Sequence, residues 1–424
     1  MNLYLMQHIP TAVFVFCFGA CVGSFLNVVI YRLPAGMSVV SPPSRCPTCG
    51  AKLKFFGDNL PILGWFLIRG KCRYCGVKVS SQYMVIELLV ALIFLGLYVV
   101  FFMVRPSIPW WGSIGSSWWY YTGPFFSGPA FVALAFLIAG LIAMTVIDAR
   151  TFTIPIQIPV FVTIVAFIAY PLQALMPVNR RAADLWPIQV TGWQTGSMIF
   201  GAMLGILIAF LLLKLGKFRY SFLDYEEYVK EGETLGDYPH ARREMMVELV
   251  YLTPCLVGAV VGWFLGRFLP TGPPPVFLQA MGGTFAGYLM GGGLIWGIRI
   301  LASLAFGKEA MGLGDVHLMA AVGAVLGWFD PILIFFLAPF SGLIWIILSR
   351  GFATVMRKRW TELPYGPHLA IATLVVIFCR PGIQAGWQNL FSVIPWPSTS
   401  LCVPPATTGT SSTNPAAPPG SPTP

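Results

Sequence analysis

Two aspartates stand at the ends of apolar stretches. Asp148 closes one, in Thr145-Val146-Ile147-Asp148-Ala149-Arg150, and Asp315 opens another, in Gly312-Leu313-Gly314-Asp315-Val316-His317. A carboxylate beside hydrocarbon is costly, so it faces a wet cavity, a partner or a substrate. Two that meet supply the means to hydrolyse a peptide. Like charges held close cannot both ionise, so the pair shares a proton: one carboxylate activates water and the other serves the leaving amine. Gly312 and Gly314 let the backbone approach closely before Asp315. Asp315 is expected at a helix N-terminus, where the dipole favours its anion and the role of base. Asp148 is expected at a helix C-terminus, as the proton carrier, although a coupled pair titrates as a unit. Taken singly, each aspartate has a plainer reading: an interfacial residue paired with Arg150 or His317.

The second group with chemistry is Cys46-Pro47-Thr48-Cys49-Gly50 and Cys72-Arg73-Tyr74-Cys75-Gly76. Paired C-x-x-C turns that face each other make a tetrahedral Zn²⁺ site, and the glycine after each pair lets backbone amides point at the sulfurs. Four thiolates leave no position for water, so such a zinc is structural. The alternative is a redox dithiol pair or plain reduced cysteines. Cys17, Cys21, Cys255 and Cys379 lie in apolar runs and read as small core residues.

The elements that must position these groups are membrane helices. The chain has 424 residues, 57% hydrophobic and 10% charged, with a mean hydropathy of +0.75; an ordinary soluble domain is about 25% charged. The fold class is an all-α polytopic membrane protein of about 8–10 transmembrane helices, with a small cytoplasmic zinc-binding loop. Candidate spans are 9–31, 83–104, 126–147, 156–176, 194–214, 246–268, 279–301, 316–329, 331–349 and 366–379, the eighth and tenth being short. The first reads as a retained span rather than a cleaved signal, because no small-residue cleavage site follows it. Gly282, Gly283, Gly287 and Gly291 to Gly293 suggest close helix packing in the seventh.

The formal charge of +10 does not point to nucleic acid. Lys and Arg cluster in the short loops 32–82, 214–245 and 350–365, as orientation signals do, which makes that side cytoplasmic. Arg180 and Arg181 on the other side run against this. Trp110, Trp111, Trp118, Trp119, Tyr120 and Tyr121 then form an outer interfacial aromatic belt. This topology puts both aspartates at the cytoplasmic edge. The expected divisions are a first span at 1–31, a tetracysteine loop at 32–82 and helices carrying Asp148 at 83–214. A charged cytoplasmic insert at 215–245, helices carrying Asp315 at 246–381 and a disordered Pro/Ser/Thr-rich tail at 396–424 complete them.

Read in order, the motifs resemble the type IV prepilin peptidase family, bacterial membrane aspartyl proteases of the GxGD type. Gly19 to Pro34 is similar to the family's N-terminal signature, and the cysteine pairs follow where the family has them. Tyr83 to Leu89, with Glu87, is similar to its second-span entry. Asp148 to Pro155 and Glu309 to Leu318 resemble its two catalytic motifs, and Leu363 to Pro367 its late proline-glycine motif. The resemblance implies Asp148 and Asp315 as catalytic residues, with Gly312, Gly314 and His317 in the supporting loop. It implies prepilin or type II secretion pseudopilin substrates, cut after a Gly at the cytoplasmic face of the bacterial inner membrane. It also implies N-methylation of the new terminal residue with S-adenosylmethionine, an activity associated with the N-terminal and zinc-loop region.

Three features depart from the family pattern. His317 stands where the family usually has Lys, Ile156 where it often has an acidic residue, and the insert and tail exceed a compact member. Ser24, Asn27 and Glu87 either hydrogen-bond neighbouring helices or line a substrate or cofactor cavity, and Glu248 is a similar case. The expected partners are the prepilin substrates and the lipid bilayer, with no nucleic acid; the sequence does not set the oligomeric state. Rival readings are an ion-coupled membrane transporter with a zinc-ribbon docking loop, a methyltransferase without protease activity, and a scaffold without catalysis.

Overall fold

The structure is a computed structural model that describes residues 3–54, 57–104, 116–177, 187–224, 228, 238–356, 365–391 and 396. The described residues form helices, with two isolated β-bridges, Arg45 with Lys52 and Lys71 with Lys78. The helices are α1 (Leu3–Arg32), α2 (Leu63–Leu67), α3 (Gln82–Tyr98, continued by a π-helical turn at Val99–Met103), α4 (Ser116–Phe126), α5 (Gly128–Thr151) and α6 (Gln157–Ala174). Then come α7 (Trp193–Lys214), α8 (Ala241–Leu265), α9 (Val276–Phe306), α10 (Leu313–Leu326), α11 (Asp330–Met356) and α12 (Tyr365–Leu390).

Among the described residues, 9 helices are long and apolar enough to cross a membrane. The tenth expected span, 366–379, is part of the 26-residue α12, which breaks at Cys379 ahead of Pro381. The eighth falls on α10, which has only 14 residues. At about 1.5 Å per residue it is about 21 Å long, short of a hydrocarbon layer about 30 Å thick. Its composition explains its place. It is apolar on all sides, and Val316 and every residue from Leu318 to Leu326 are buried, as an interior helix requires.

Glycines let the backbones close on one another. Gly287 of α9 and Gly323 of α10 oppose each other with no room for a Cβ on either. Gly291 lies on the Met319 carbonyl, and Gly201 and Gly258 join α7 to α8 in the same manner. Gly282 and Gly283 instead take Thr191 and Gln189, and Gly293 faces open space. A Cβ on Gly23 of α1 would stand 2.7 Å from the Glu87 Cα, so α3 lies directly on α1 there.

The far end of α10 is closed by polar side chains. The Tyr170 hydroxyl donates to the Val325 carbonyl at 2.6 Å. Asp330, at the start of α11, forms a buried ion pair with Arg380 of α12, whose guanidinium lies 5.3 Å from the Trp396 ring centre.

Two expectations fail here. Trp118 and Trp119 are buried, not interfacial: α4 lays them against the π-helical turn, where Trp119 stacks on Phe101 at 4.6 Å. Cys17 and Cys21 point out of the bundle rather than into the core. Helix α8 begins at Ala241, inside the segment read as the charged insert. Trp110, Trp111, Arg180, Arg181, Arg357 to Arg359, most of the charged insert and the tail beyond Trp396 lie outside the described residues.

Candidate functional site

Asp148 occupies the last turn of α5 and is buried. The helix ends because Phe152 takes a left-handed conformation (φ 53°) and returns its amide to the Asp148 carbonyl at 2.9 Å. That reversal sends Ile154 into the gap between two other motifs. A Cβ on Gly314 would stand 2.9 Å from the Ile154 Cβ, and one on Gly366 would stand 3.4 Å from the Ile154 Cδ1. Gly366, in the first turn of α12, directs its amide at the Asp148 carboxylate.

Asp315 lies in the first turn of α10, behind Gly312 as N-cap. The charge of Asp148 acts on it directly, and Tyr365 borders it. The two carboxylates are thus brought to one place by three segments that meet at Ile154. Of the two motif glycines, Gly314 is the crowded one. The nearest atom to a Cβ on Gly312 would be Asp315 Oδ2, at 3.7 Å. Neither plain pairing occurs: no ion pair joins Asp148 to Arg150 or Asp315 to His317 among the described residues. Arg150 donates instead to the Gln82 side chain at the start of α3. His317 is partly buried on α10, without a hydrogen bond to either aspartate.

Sequence reading missed what holds the loop before Asp315. Arg299 of α9 is 1% exposed. It pairs with Glu248 of α8 at 3.0 Å and with Glu309, and donates to the Met311 carbonyl. The Trp296 indole donates to Glu248 at 2.6 Å, and the Ala310 amide donates to the Ser303 hydroxyl at 3.0 Å. The available signal was a lone arginine inside an apolar run, which needs a buried partner.

The four cysteines form two matching turns. Gly50 (φ 69°) and Gly76 (φ 71°) occupy the left-handed region that closes each one, and their amides return to the Cys46 and Cys72 carbonyls at 2.9 Å. All four sulfurs lie within 4.8 Å of one another, and Cys46 Sγ is 3.9 Å from Cys75 Sγ. Thiolates about 2.3 Å from a tetrahedral metal are about 3.8 Å apart, so the cluster has the size and donor set to hold such an ion. The backbone amides of Cys49 and Thr48 draw the Cys46 thiol down to about 6. Asp58 braces the loop through Arg73 at 3.0 Å.

Ser24, Asn27 and Glu87 also come together. The Glu87 carboxylate accepts the Ile62 amide at 2.6 Å and bonds from Ser24 and Asn27, while the Asn27 amide group donates to the Tyr83 carbonyl at 3.0 Å. The three residues line one cavity of ≈ 760 Å³ between α1, the start of α3 and the tetracysteine loop. Its walls include Arg32, Trp65 and Tyr83. The two readings of these residues are therefore compatible: they bond neighbouring elements and line a cavity.

Comparison with known proteins agrees with this layout. Residues 17–101 match the bacterial peptidase A24 N-terminal domain, and residues 245–347 match the type IV leader peptidase family. The first stretch holds the cavity residues and cysteines; the second holds Asp315, Arg299, Glu248 and Glu309. Asp148 and Gly366 lie in neither. The chain is 24% identical over 396 residues to a prepilin leader peptidase/N-methyltransferase of Dickeya chrysanthemi, covering 88% of this chain and 93% of that relative. It is 25% identical over 391 residues to the protein of the same name from Aeromonas salmonicida, covering 86% and 89%. A shorter match to that of Myxococcus xanthus is 53% identical over 83 residues, spanning 20% of this chain and 24% of the relative. No solved structure matches the chain. With one matched domain around the cavity, another around Asp315, and relatives alike along nearly their whole length, the chain is similar to the type IV leader peptidase family in both of its domains.

Proposed function

We propose that this chain is a membrane aspartyl endopeptidase that removes the leader of type IV prepilins or type II secretion pseudopilins, cutting after a Gly at the cytoplasmic face of the bacterial inner membrane. The observation that carries the reading is the convergence of Asp148 and Asp315 from α5 and α10, around Ile154 and Gly366. Two carboxylates that share a proton act in turn. The ionised one takes a proton from water as the water attacks the scissile carbonyl; the protonated one gives its proton to the departing amine. The Gly366 amide faces the Asp148 carboxylate at the end of α5. The dyad works as a unit, without a fixed base and acid.

The second activity is transfer of a methyl group to the new terminal amine. The cavity beside Glu87, at ≈ 760 Å³, has the volume of a cofactor-sized site, about 300–1,000 Å³. Its mixture of Trp65, Tyr83, Asn27, Arg32 and Glu87 suits S-adenosylmethionine, which supplies the methyl group when bound. Glu87 and Asn27 would orient the polar end and the aromatic rings would pack the rest. The four cysteines would hold a structural Zn²⁺ that shapes the wall of this cavity; with four thiolate ligands it adds no open position for chemistry. The comparisons lend no support to a transporter.

The test is to incubate the purified protein with a prepilin and weigh the product. Loss of the leader reports proteolysis, and a further methyl increment reports the second step. Asp148→Asn and Asp315→Asn should each abolish cutting. Near-normal cutting by either variant removes the dyad, and leader retention by the unaltered protein leaves only the methyltransferase or scaffold readings.

A further inference from the structure

Asp315 stands in the first turn of α10, directly after a short excursion of the chain. Between the end of α9 at Phe306 and the start of α10 at Leu313 the chain makes the loop that delivers Gly312, Gly314 and Asp315. A loop at a membrane edge is mobile unless something fastens it, and a misplacement of about 1 Å at a reacting group costs on the order of 100-fold in rate. This loop is fastened chiefly at one point. The Arg299 guanidinium reaches it twice, through the Glu309 carboxylate and the Met311 carbonyl. The Ser303 hydroxyl, one turn further along α9, takes the Ala310 amide.

Arg299 is itself held on all sides. Glu248 of α8 receives both its Nε and Nη2 groups, at 3.2 and 3.0 Å, and Glu248 is fixed in turn by the Trp296 indole. The Phe222 ring lies 5.5 Å from the guanidinium carbon. Phe222 is anchored by its amide to Glu244 at 2.8 Å. Arg242 of α8 donates to the Leu304 carbonyl at 2.9 Å and to that of Ala305, which ties down the end of α9. A cation this deeply buried normally stands where its partners must not move. Its charge also reaches Asp315 through space.

We propose that Arg299 is a positioning residue of the peptidase site: by clamping Glu248, Glu309 and the Met311 carbonyl together, it sets where Asp315 stands opposite Asp148. The clamp rests on the peptidase reading given above and assigns no contact between Arg299 and the substrate. A guanidinium is needed rather than any cation, because its planar fork reaches two carboxylates and a carbonyl at once, which an ammonium cannot do from one place.

The experiment compares prepilin cleavage by the unaltered protein, Arg299→Lys and Glu309→Gln, with kcat and KM measured separately and each value normalised to folded, monodisperse protein. Positioning predicts that kcat falls by about 100-fold in Arg299→Lys and by about 10-fold in Glu309→Gln, with KM within about twofold because substrate contacts are untouched. A purely structural role predicts less folded protein but unchanged kcat per folded molecule, and that result overturns the proposal. Should Arg299→Lys fail to fold, the isosteric Glu309→Gln decides alone, and wild-type kcat there is equally fatal. Leader retention by the unaltered protein strikes instead at the peptidase reading.

Discussion

Gly366 points its backbone amide at Asp148, and a Cβ placed on Gly366 would stand 2.6 Å from Asp148 Oδ2. The residue with no side chain thus sits against the carboxylate that most needs a fixed position. Gly366→Ala should push the carboxylate away from Asp315, and cleavage should fall by about 100-fold while the helices stay folded. Circular dichroism and single-turnover cleavage on the same preparation check this; an unimpaired rate would mean that Asp148 tolerates displacement.

Gly314 packs on Ile154 with similar closeness, 2.9 Å for an added Cβ. Gly312 has more room. Gly314→Ala is therefore expected to damage cleavage more than Gly312→Ala, by roughly tenfold. Parallel initial rates settle the order, and the reverse order would contradict the packing.

The cavity beside Glu87 is built by α1, α3 and the tetracysteine loop, whereas the carboxylates belong to α5 and α10. Glu87→Ala should consequently abolish methylation of a pre-cut substrate while leaving leader removal within about threefold of normal. Mass analysis of the product reads both steps at once.

Removing the metal tests the cysteines. Cys72→Ser leaves three thiolates, so bound zinc should fall to near zero by elemental analysis and the loop should become sensitive to protease. Methylation should be lost before cleavage, because Cys46 and Cys72 line the cavity. An unchanged metal content would remove the zinc assignment.

Asp330 and Arg380 form a buried pair. Asp330→Asn should strand the Arg380 charge and cost about 3–5 kcal/mol, read as a drop in thermal midpoint. Asp330→Asn combined with Arg380→Met should recover much of that loss, since the pair itself contributes little net stability.

What the sequence revealed and what it hid follow from range. Asp148, Asp315 and the cysteine turns were legible because each is carried by a short local motif, and the helices because apolar runs of membrane length have few alternatives. Arg299 was hidden because its partners, Glu248 and Glu309, come from two other segments and no spacing rule links them. Trp118 and Trp119 were misread for a related reason. Beside a polar loop, an indole looks interfacial until the fold shows a helix returning it to the core. Gly366 matters only because Asp148 arrives opposite it, which no local pattern records.

Helix α10 opens at Asp315 and closes at the Tyr170 hydroxyl and the Asp330–Arg380 pair. Apart from His317, the residues from Val316 to Leu326 between those ends are buried. A file of waters starting at the carboxylates would have to thread that packed core and then pass a charged lid. On the peptidase reading, this arrangement predicts that water reaches the carboxylates at one margin of the bilayer while protons find no path through it.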